Sequence, residues 1–310
     1  MKALVSYIMR GRLEAIAAVA GFTVLSLVIS PFMYLSVPAV ALVALRHGLK
    51  EVLPPLATAV IILTMASLSP YAIALAFVVL LALIVRLTRS LALTLVVASG
   101  ILCLTVAVVH VAVGDVGAWW LSMVKEMDTA ALRQEDLPNR EQLYANLELM
   151  APQIVGIFAA AFLMHSLLCL FIARAWQAML YNPGGFRQEF YSLNLGKVFA
   201  VVVAALIGLA MWDLGLISII AKDAIMMAAI LYLLQGVSVL HVLFHVKKLP
   251  PGVLYGMYGF IALSVIMAPV FQGLLQYVLV FTLLLMVQGY VETWANLRGR
   301  MQAQFPNDPQ

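Results

Sequence analysis

Residues 91–113 read LALTLVVASGILCLTVAVVHVAV, an apolar run without a single lysine, arginine or carboxylate. Crossing the hydrocarbon core of a bilayer as a helix takes about 20 apolar residues. Lipid offers no hydrogen-bond partner to backbone N–H and C=O groups, so such a run must satisfy them internally, as an α-helix does. The stretch therefore predicts a transmembrane helix.

The rest of the chain has the same character. Of its 310 residues, 65% are hydrophobic and only 10% charged, whereas soluble domains carry about 25% charged residues. The apolar runs are continuous rather than alternating, which excludes a β-barrel. We predict an all-α polytopic transmembrane helix bundle of eight to ten spans. The ten apolar segments are 13–29, 32–45, 52–68, 71–86, 91–113, 151–173, 197–213, 217–245, 251–270 and 273–293.

Prolines divide the shorter segments. Ser30-Pro31 and Ser69-Pro70 separate neighbouring runs, and Pro38 predicts a further break within the second run, because proline interrupts a helix interior. Eight full spans plus an irregular pair is the alternative to ten.

Basic residues indicate the orientation. If the spans alternate from a cytoplasmic N-terminus, fourteen of the 18 lysines and arginines lie on the inside, as the positive-inside rule requires. The net charge of +4 thus reflects topology, and no nucleic-acid partner is predicted. We expect a bacterial inner-membrane protein with both termini cytoplasmic and a retained first span. The basic residues placed outside are Lys125, Arg133, Arg140 and Lys222.

The connections suggest four regions. An N-terminal helix bundle (1–113) is followed by an acidic periplasmic loop (114–150), in which 118–127 is predicted to be an interfacial helix and 139–173 a long continuous helix. A C-terminal bundle (151–300) and a disordered cytoplasmic tail (301–310) complete the chain. Within the C-terminal bundle, Asn182-Pro183-Gly184-Gly185 predicts a tight turn.

Ionisable groups inside membranes are costly and usually functional. Asp213, Lys222 and Asp223 are predicted near the outer mouth, and with Gln235 of the same apolar region they are the candidate substrate-binding residues. The ligand itself is not identified by these residues.

A second set of residues suggests contact with a partner. Ala17 and Gly21 form a small-xxx-small pair of the kind that allows close helix packing, and Trp119-Trp120 is typical of a membrane-interface anchor. With Arg187, these are the candidate partner-docking residues. The expected partners are the lipid bilayer and another membrane protein.

Nothing in the sequence indicates catalysis. His241 and His245 share a helix face, but HVLFH lacks the glutamate of a zincin motif, so two interfacial imidazoles are favoured over a metal site. Cys103 and Cys169 fit small core residues. We expect no metal, no cofactor and no enzyme. A lipid-handling protein or intramembrane enzyme stays as an alternative that would need these histidines, or His110 and His165, to share a cavity.

Several stretches resemble the YybS-like family of bacterial membrane proteins. They are the small-residue first helix followed by Arg46-His47-Gly48-Leu49-Lys50, the turn Asn182 to Phe186, Leu234-Gln235-Gly236-Val237-Ser238-Val239-Leu240-His241 with Lys247-Lys248-Leu249-Pro250, and Gly289 to Arg298. That family is similar in hydropathy and N-terminal pattern to the substrate-binding S-components of energy-coupling-factor vitamin transporters. The resemblance implies an S-component-like N-terminal part and a small-solute-binding or transport-related function. The alternative is a non-catalytic scaffold or regulatory subunit of another membrane complex.

Overall fold

The computed structural model describes residues 1–131, 140–267 and 272–304. This part of the chain is built from helices and turns and contains no strand, which confirms the all-α helical fold. It divides into two compact units, Met1–Ala98 with Ala161–Phe190, and Ser99–Ala160 with Tyr191–Gln310. Both units draw on the N-terminal and the C-terminal halves of the chain, so the region limits at 113 and 151 expected from sequence are not the limits of these units.

The described helices are numbered in chain order. They are α1 (Lys2–Ile8), α2 (Arg12–Val28), α3 (Met33–His47), α4 (Leu49–Met65), α5 (Ser69–Thr88), α6 (Leu91–Val113), α7 (Val116–Ala131), α8 (Arg140–Met150), α9 (Ile154–Tyr181), α10 (Gly185–Tyr191), α11 (Gly196–Met211), α12 (Leu216–Val246), α13 (Pro251–Met267), α14 (Gln272–Ala295) and α15 (Leu297–Gln304).

Five of the described helical stretches are long and apolar enough to cross a membrane, or up to seven if two bent helix pairs each form one span. The chain is thus a multi-pass membrane protein, but the count is lower than the eight to ten predicted. The difference arises where apolar runs form helices of only 15 to 17 residues, as α3 and α4 do, because a full crossing takes about 20. The five stretches are Ser69–Thr88, Leu91–Val113, Tyr144–Tyr181, Leu216–Val246 and Gln276–Ala295.

Two of the three proline breaks are confirmed. A 3-10 turn at Ser30–Phe32 separates α2 from α3, and Pro70 lies at the start of α5. The break expected at Pro38 is wrong, since α3 continues through it. Proline removes only its own N–H from the helix ladder, and here the remaining hydrogen bonds hold the helix together.

The segment between α6 and α9 differs in part from expectation. The helix predicted at 118–127 is present as α7. The long helix predicted over 139–173 is present from Arg140 onward as α8, a 3-10 turn at Ala151–Gln153 containing Pro152, and α9, of which Tyr144–Tyr181 counts as one helical stretch. Arg133 lies outside the described residues. At the other end of the chain, α15 includes the first four residues of the predicted tail, and 305–310 lie outside the described residues.

Helices of the first unit pack mainly against their sequence neighbours. Helix α2 packs on α3 and α4, and α3 also packs on α5. One polar contact crosses the α2–α3 interface: the hydroxyls of Thr23 and Ser36 lie 2.7 Å apart and are buried. The N-terminus of α2 is joined to that of α4 by an exposed ion pair between Arg12 and Glu51, at 2.8 Å, and this hydrogen bond lowers the pKa of Glu51.

The closest helix contact in the second unit joins α12 and α14. A Cβ added at Gly236 would overlap the carbonyl oxygen of Leu285, and one added at Gly289 would overlap the carbonyl oxygen of Tyr232. The backbones therefore touch at two glycines, as small residues allow in membrane helices. This contact fixes α12 against α14.

Replacing Gly236 by alanine should force the two backbones apart. We expect Gly236→Ala to destabilise the protein by about 2 kcal/mol, the usual effect of overpacking a well-packed contact, seen as a lower midpoint of thermal unfolding in detergent. Gly208→Ala is the matched control, because a Cβ on this exposed α11 glycine meets no atom within 4 Å. Equal midpoints for the two variants would contradict the proposed contact.

Candidate functional site

The structure separates the three charged residues predicted to meet at the outer mouth. Asp213 is exposed in the turn before α12, and Lys222 is exposed on α12. Asp223, the next residue on that helix, is fully buried. Successive helical residues point about 100° apart, so Lys222 and Asp223 occupy different faces. No hydrogen bond or ion pair joins any two of these three described residues.

Asp223 instead meets His110. Atom Oδ2 of Asp223 lies 2.8 Å from Nε2 of His110, and the two side chains are 0% and 2% exposed. The two side chains share one hydrogen bond, and its donor is whichever of the two groups carries the proton. The partners come from α6 and α12, both long enough to cross a membrane. The structure thus places a histidine–carboxylate pair inside apolar helices.

The second carboxylate oxygen of Asp223 is left without a partner. Atom Oδ1 is buried and has no hydrogen bond to any described residue. The carboxyl group lies against Gly156 in the first turns of α9, where an added Cβ would overlap it. Glycine at this position therefore gives the carboxylate the space it occupies. A buried acceptor without a donor costs free energy, so this oxygen is suited to receive a donor from outside the described chain.

Chemically, the pair can exist as imidazolium with carboxylate or as imidazole with carboxylic acid. Both forms have zero net charge, so a proton can shift between the two residues without changing the charge buried in the helices. The open Oδ1 adds a site for an N–H or O–H group, or for a proton. These are the properties that intramembrane ionisable residues supply on substrate and proton paths.

The fourth predicted substrate residue, Gln235, has a different role. Its Oε1 accepts from the backbone N–H of Leu195 at 2.8 Å. Its Nε2 donates to the carbonyl of Gly289 at 2.6 Å and to the hydroxyl of Thr293 at 3.0 Å. Both amide donors are therefore used within the protein. Gln235 ties the segment before α11 to α12 and α14.

A buried arginine, Arg298, holds the part of this segment that precedes Leu195. Arg298 Nε donates to Glu292 Oε1 at 2.8 Å, and its terminal nitrogens donate to the carbonyls of Tyr191 and Leu193 at 2.5 and 2.8 Å and to the hydroxyl of Ser238 at 3.3 Å. We call this group the Arg298 clamp. Sequence reasoning placed Arg298 only as an inside base.

The sequence signal that was missed for the clamp is Asn296, which lies between Glu292 and Arg298. Asn296 separates α14 from α15 with a φ of +47°, a conformation that asparagine tolerates better than most residues. This turn folds Arg298 back beside Glu292. An asparagine at the end of an apolar run was therefore a usable signal for a chain reversal.

Three of the other histidines contact aromatic side chains. His165 Nδ1 lies 3.1 Å from the Tyr34 hydroxyl, and the rings of His241 and His245 lie against Tyr191, with centroids 6.4 and 5.8 Å away. In the ranges that the structure describes, no three His, Cys, Asp or Glu side chains are grouped as metal ligands. The two cysteines are unpaired thiols.

The predicted docking residues are mostly at the surface. Ala17, Gly21, Trp119 and Arg187 are exposed. Trp120 is half-buried, with its ring 5.6 Å from that of Phe158, and its indole nitrogen has no hydrogen-bond partner among the described residues. The buried face of α2 is a different one, Ala15, Val19 and Thr23.

Replacing one member of the His110–Asp223 pair should destabilise the protein more than replacing both. We expect His110→Leu to destabilise the protein by roughly 3 kcal/mol, because it leaves a buried carboxylate unpaired. The double variant His110→Leu/Asp223→Leu should recover much of that loss, since it leaves no charge buried. Thermal unfolding in detergent measures both. A double variant less stable than His110→Leu would contradict this account.

The Arg298 clamp predicts a local effect. Arg298→Lys keeps the charge but cannot reach all four acceptors, because a lysine ammonium lacks the guanidinium fork. We expect faster proteolysis within 191–196, measured by limited digestion and mass spectrometry. Arg300→Lys, at an exposed neighbouring arginine, is the control and should be cleaved like the unmodified protein. Unchanged cleavage of Arg298→Lys would show that the clamp does not hold this segment.

Comparisons with known proteins complete the description of the site. No protein-family model, curated protein or solved structure matches the chain. The resemblance to the YybS-like family therefore stays a prediction. What the chain does has to be inferred from the chemistry of its own side chains.

Proposed function

We propose that this multi-pass membrane protein binds or transports a small solute, and that Asp223, held by His110, contacts that solute. The observation that carries the proposal is the unpartnered oxygen Oδ1 of a fully buried Asp223. An intramembrane carboxylate is expensive to keep. A carboxylate that has only one of its two oxygens hydrogen-bonded within the chain is suited to bind a ligand through the other oxygen.

The class of ligand follows from the chemistry of Oδ1, the carboxylate oxygen of Asp223 that has no described partner. Oδ1 is an acceptor, so it selects a solute that presents an N–H or O–H group, and a cationic amine gains most because it also meets a negative charge. The surrounding helices are apolar, which favours a small ligand with few other polar groups. The resemblance to solute-binding S-components supports the same class of function on separate grounds.

The histidine extends the proposal from binding to transport. Because His110 shares a hydrogen bond with the carboxylate, a cationic ligand at Oδ1 stabilises the carboxylate form and changes the proton affinity of the pair. Solute binding and proton binding would then be coupled at one site, as in transporters that use buried carboxylates and histidines. We propose a transport-related protein rather than an enzyme.

The orientation that accompanies this function is a proposal on separate grounds. The alternating ten-segment topology predicted from sequence puts fourteen of the 18 lysines and arginines on one side, and that asymmetry supports a bacterial inner-membrane protein with both termini in the cytoplasm.

The test is to identify the small molecules that co-purify with the protein. The unmodified chain, Asp223→Asn and Asp213→Asn are purified in mild detergent, and the small molecules extracted from each are compared by mass spectrometry. We expect a molecule with an amine or hydroxyl group to be present in the unmodified protein and depleted at least about tenfold in Asp223→Asn, the effect of losing one charged hydrogen bond.

Asp213→Asn is the matched control, since Asp213 is an exposed aspartate of the same region and should retain the molecule. Size-exclusion profiles show whether each variant is folded. Identical small-molecule profiles for the two folded variants and the unmodified protein would refute Asp223 as the ligand contact.

A further inference from the structure

A cavity of about 490 Å³ lies within the first unit, lined by the ends of helices. Arg46 comes from the last turn of α3, Arg86 and Arg89 from the end of α5, and Arg174 from α9. Glu189 of α10 supplies the only carboxylate among the cavity's lining residues. We call this the arginine cavity. It shares no residue with the His110–Asp223 site and does not depend on the function proposed there.

Positive charge in the arginine cavity is not balanced by the described chain. Glu189 is paired with Arg174 through both of its oxygens. Arg46, Arg86 and Arg89 have no carboxylate partner among the described residues. These three arginines are exposed to solvent, and because like charges around one cavity repel one another, an anion placed among them would be stabilised.

Two of the arginines, Arg46 and Arg86, are held in place by contacts that leave N–H donors unused. The guanidinium of Arg46 lies 4.2 Å from the ring centroid of Tyr181, stacked on it. Nη1 of Arg86 donates to the carbonyl of Leu45 at 3.0 Å and to the carbonyl of Arg46. A guanidinium has five N–H donors, so each of these side chains is fixed in place and keeps donors for a ligand. Such prior ordering reduces the entropy lost on binding.

The ends of helices account for the positions of Arg46 and Arg86, which lie in the last turns of α3 and α5. Arg86 satisfies carbonyls at the C-terminus of α3, where cations are favourable. Arg89 makes no such bond; it follows α5 in a left-handed conformation with φ +52°, and no described residue accepts a hydrogen bond from its side chain. The Arg89 side chain is exposed, and all of its donors are left for water or a ligand.

We infer that the arginine cavity binds a phosphate-bearing anion. Arginine forks match phosphate oxygens in pairs, and several of them around one volume suit a group with three or more acceptor oxygens better than a single carboxylate. The volume lies within the range of about 300–1,000 Å³ typical of small-ligand sites. Because the cavity opens at the ends of apolar helices, the source favoured is the headgroup of an anionic phospholipid, as in other basic pockets between membrane helices.

Titration with defined phosphates tests the inference. The full chain in a non-ionic detergent is titrated with phosphatidylglycerol, with phosphatidylcholine as the zwitterionic comparison and with glycerol 3-phosphate as a soluble phosphate. The midpoint of thermal unfolding is recorded, each variant being compared with its own midpoint before addition. We expect phosphatidylglycerol, and not phosphatidylcholine, to raise the midpoint of the unmodified protein.

Single substitutions locate the effect. Arg46→Gln and Arg89→Gln should each need roughly tenfold more phosphatidylglycerol, the effect of losing a charged hydrogen bond. Arg300→Gln, at an exposed arginine outside the cavity, should titrate like the unmodified protein. If Arg46→Gln fails to fold, Arg89→Gln alone decides, because no described contact of the fold depends on the Arg89 side chain.

The outcomes separate the sources of the phosphate. An arginine-dependent response to phosphatidylglycerol alone supports a lipid headgroup, and one to glycerol 3-phosphate as well supports a site for soluble phosphate compounds. Equal responses to the two phospholipids would overturn the inference. So would an Arg89→Gln titration that coincides with that of Arg300→Gln.

Discussion

Lipid as the surrounding solvent is the constraint on which the rest of this structure depends. It leaves backbone groups no partner outside the chain, so the described residues fold as helices, and it makes every polar side chain between them costly. Polar residues are therefore few, and each one that persists needs a reason. The Arg298 clamp, Gln235 and the His110–Asp223 pair are among the places where polar groups are buried in the second unit.

Helix α12 connects these polar groups to packing. Its backbone touches α14 at Gly236, which sets the two helices close enough for Gln235 to reach the carbonyl of Gly289. Nearer its N-terminus the same helix carries Asp223, whose carboxyl group occupies the space left by Gly156. Glycine thus serves two purposes in this unit: at one place it brings backbones together, and at the other it makes room for a charge.

Sequence reasoning recovered what depends on local composition. Hydrophobic runs predicted the helices, and Pro31, Pro70 and the Asn182–Gly185 turn were correctly placed, because each acts on its own neighbours. The pairing of His110 with Asp223 was not predictable, since 113 residues separate them and neither residue's surroundings indicate the other. Hydropathy marks ten apolar runs, and five to seven stretches of the described residues are long enough to cross a membrane, because hydropathy detects apolar runs but not the length of helix that each one forms. Asp213 and Lys222 were grouped with Asp223 by proximity in sequence, which ignored the helical rotation that separates neighbouring side chains.

Arg298, Asp223 and the arginine cavity differ in how far their charges and hydrogen-bonding atoms are matched by the chain itself. This difference distinguishes a structural role from a ligand-binding role. Arg298 makes four side-chain hydrogen bonds and an ion pair within the protein, so its charge stabilises a segment of the chain. Asp223 uses one oxygen and leaves the other open, and the arginine cavity holds more positive charge than its single glutamate can neutralise. Folding alone would not retain the deficit at the fully buried Asp223, because an apolar residue at the same place costs less than an unsatisfied buried charge. Deficits that are kept in a protein surrounded by lipid therefore indicate where something other than the chain completes the bonding.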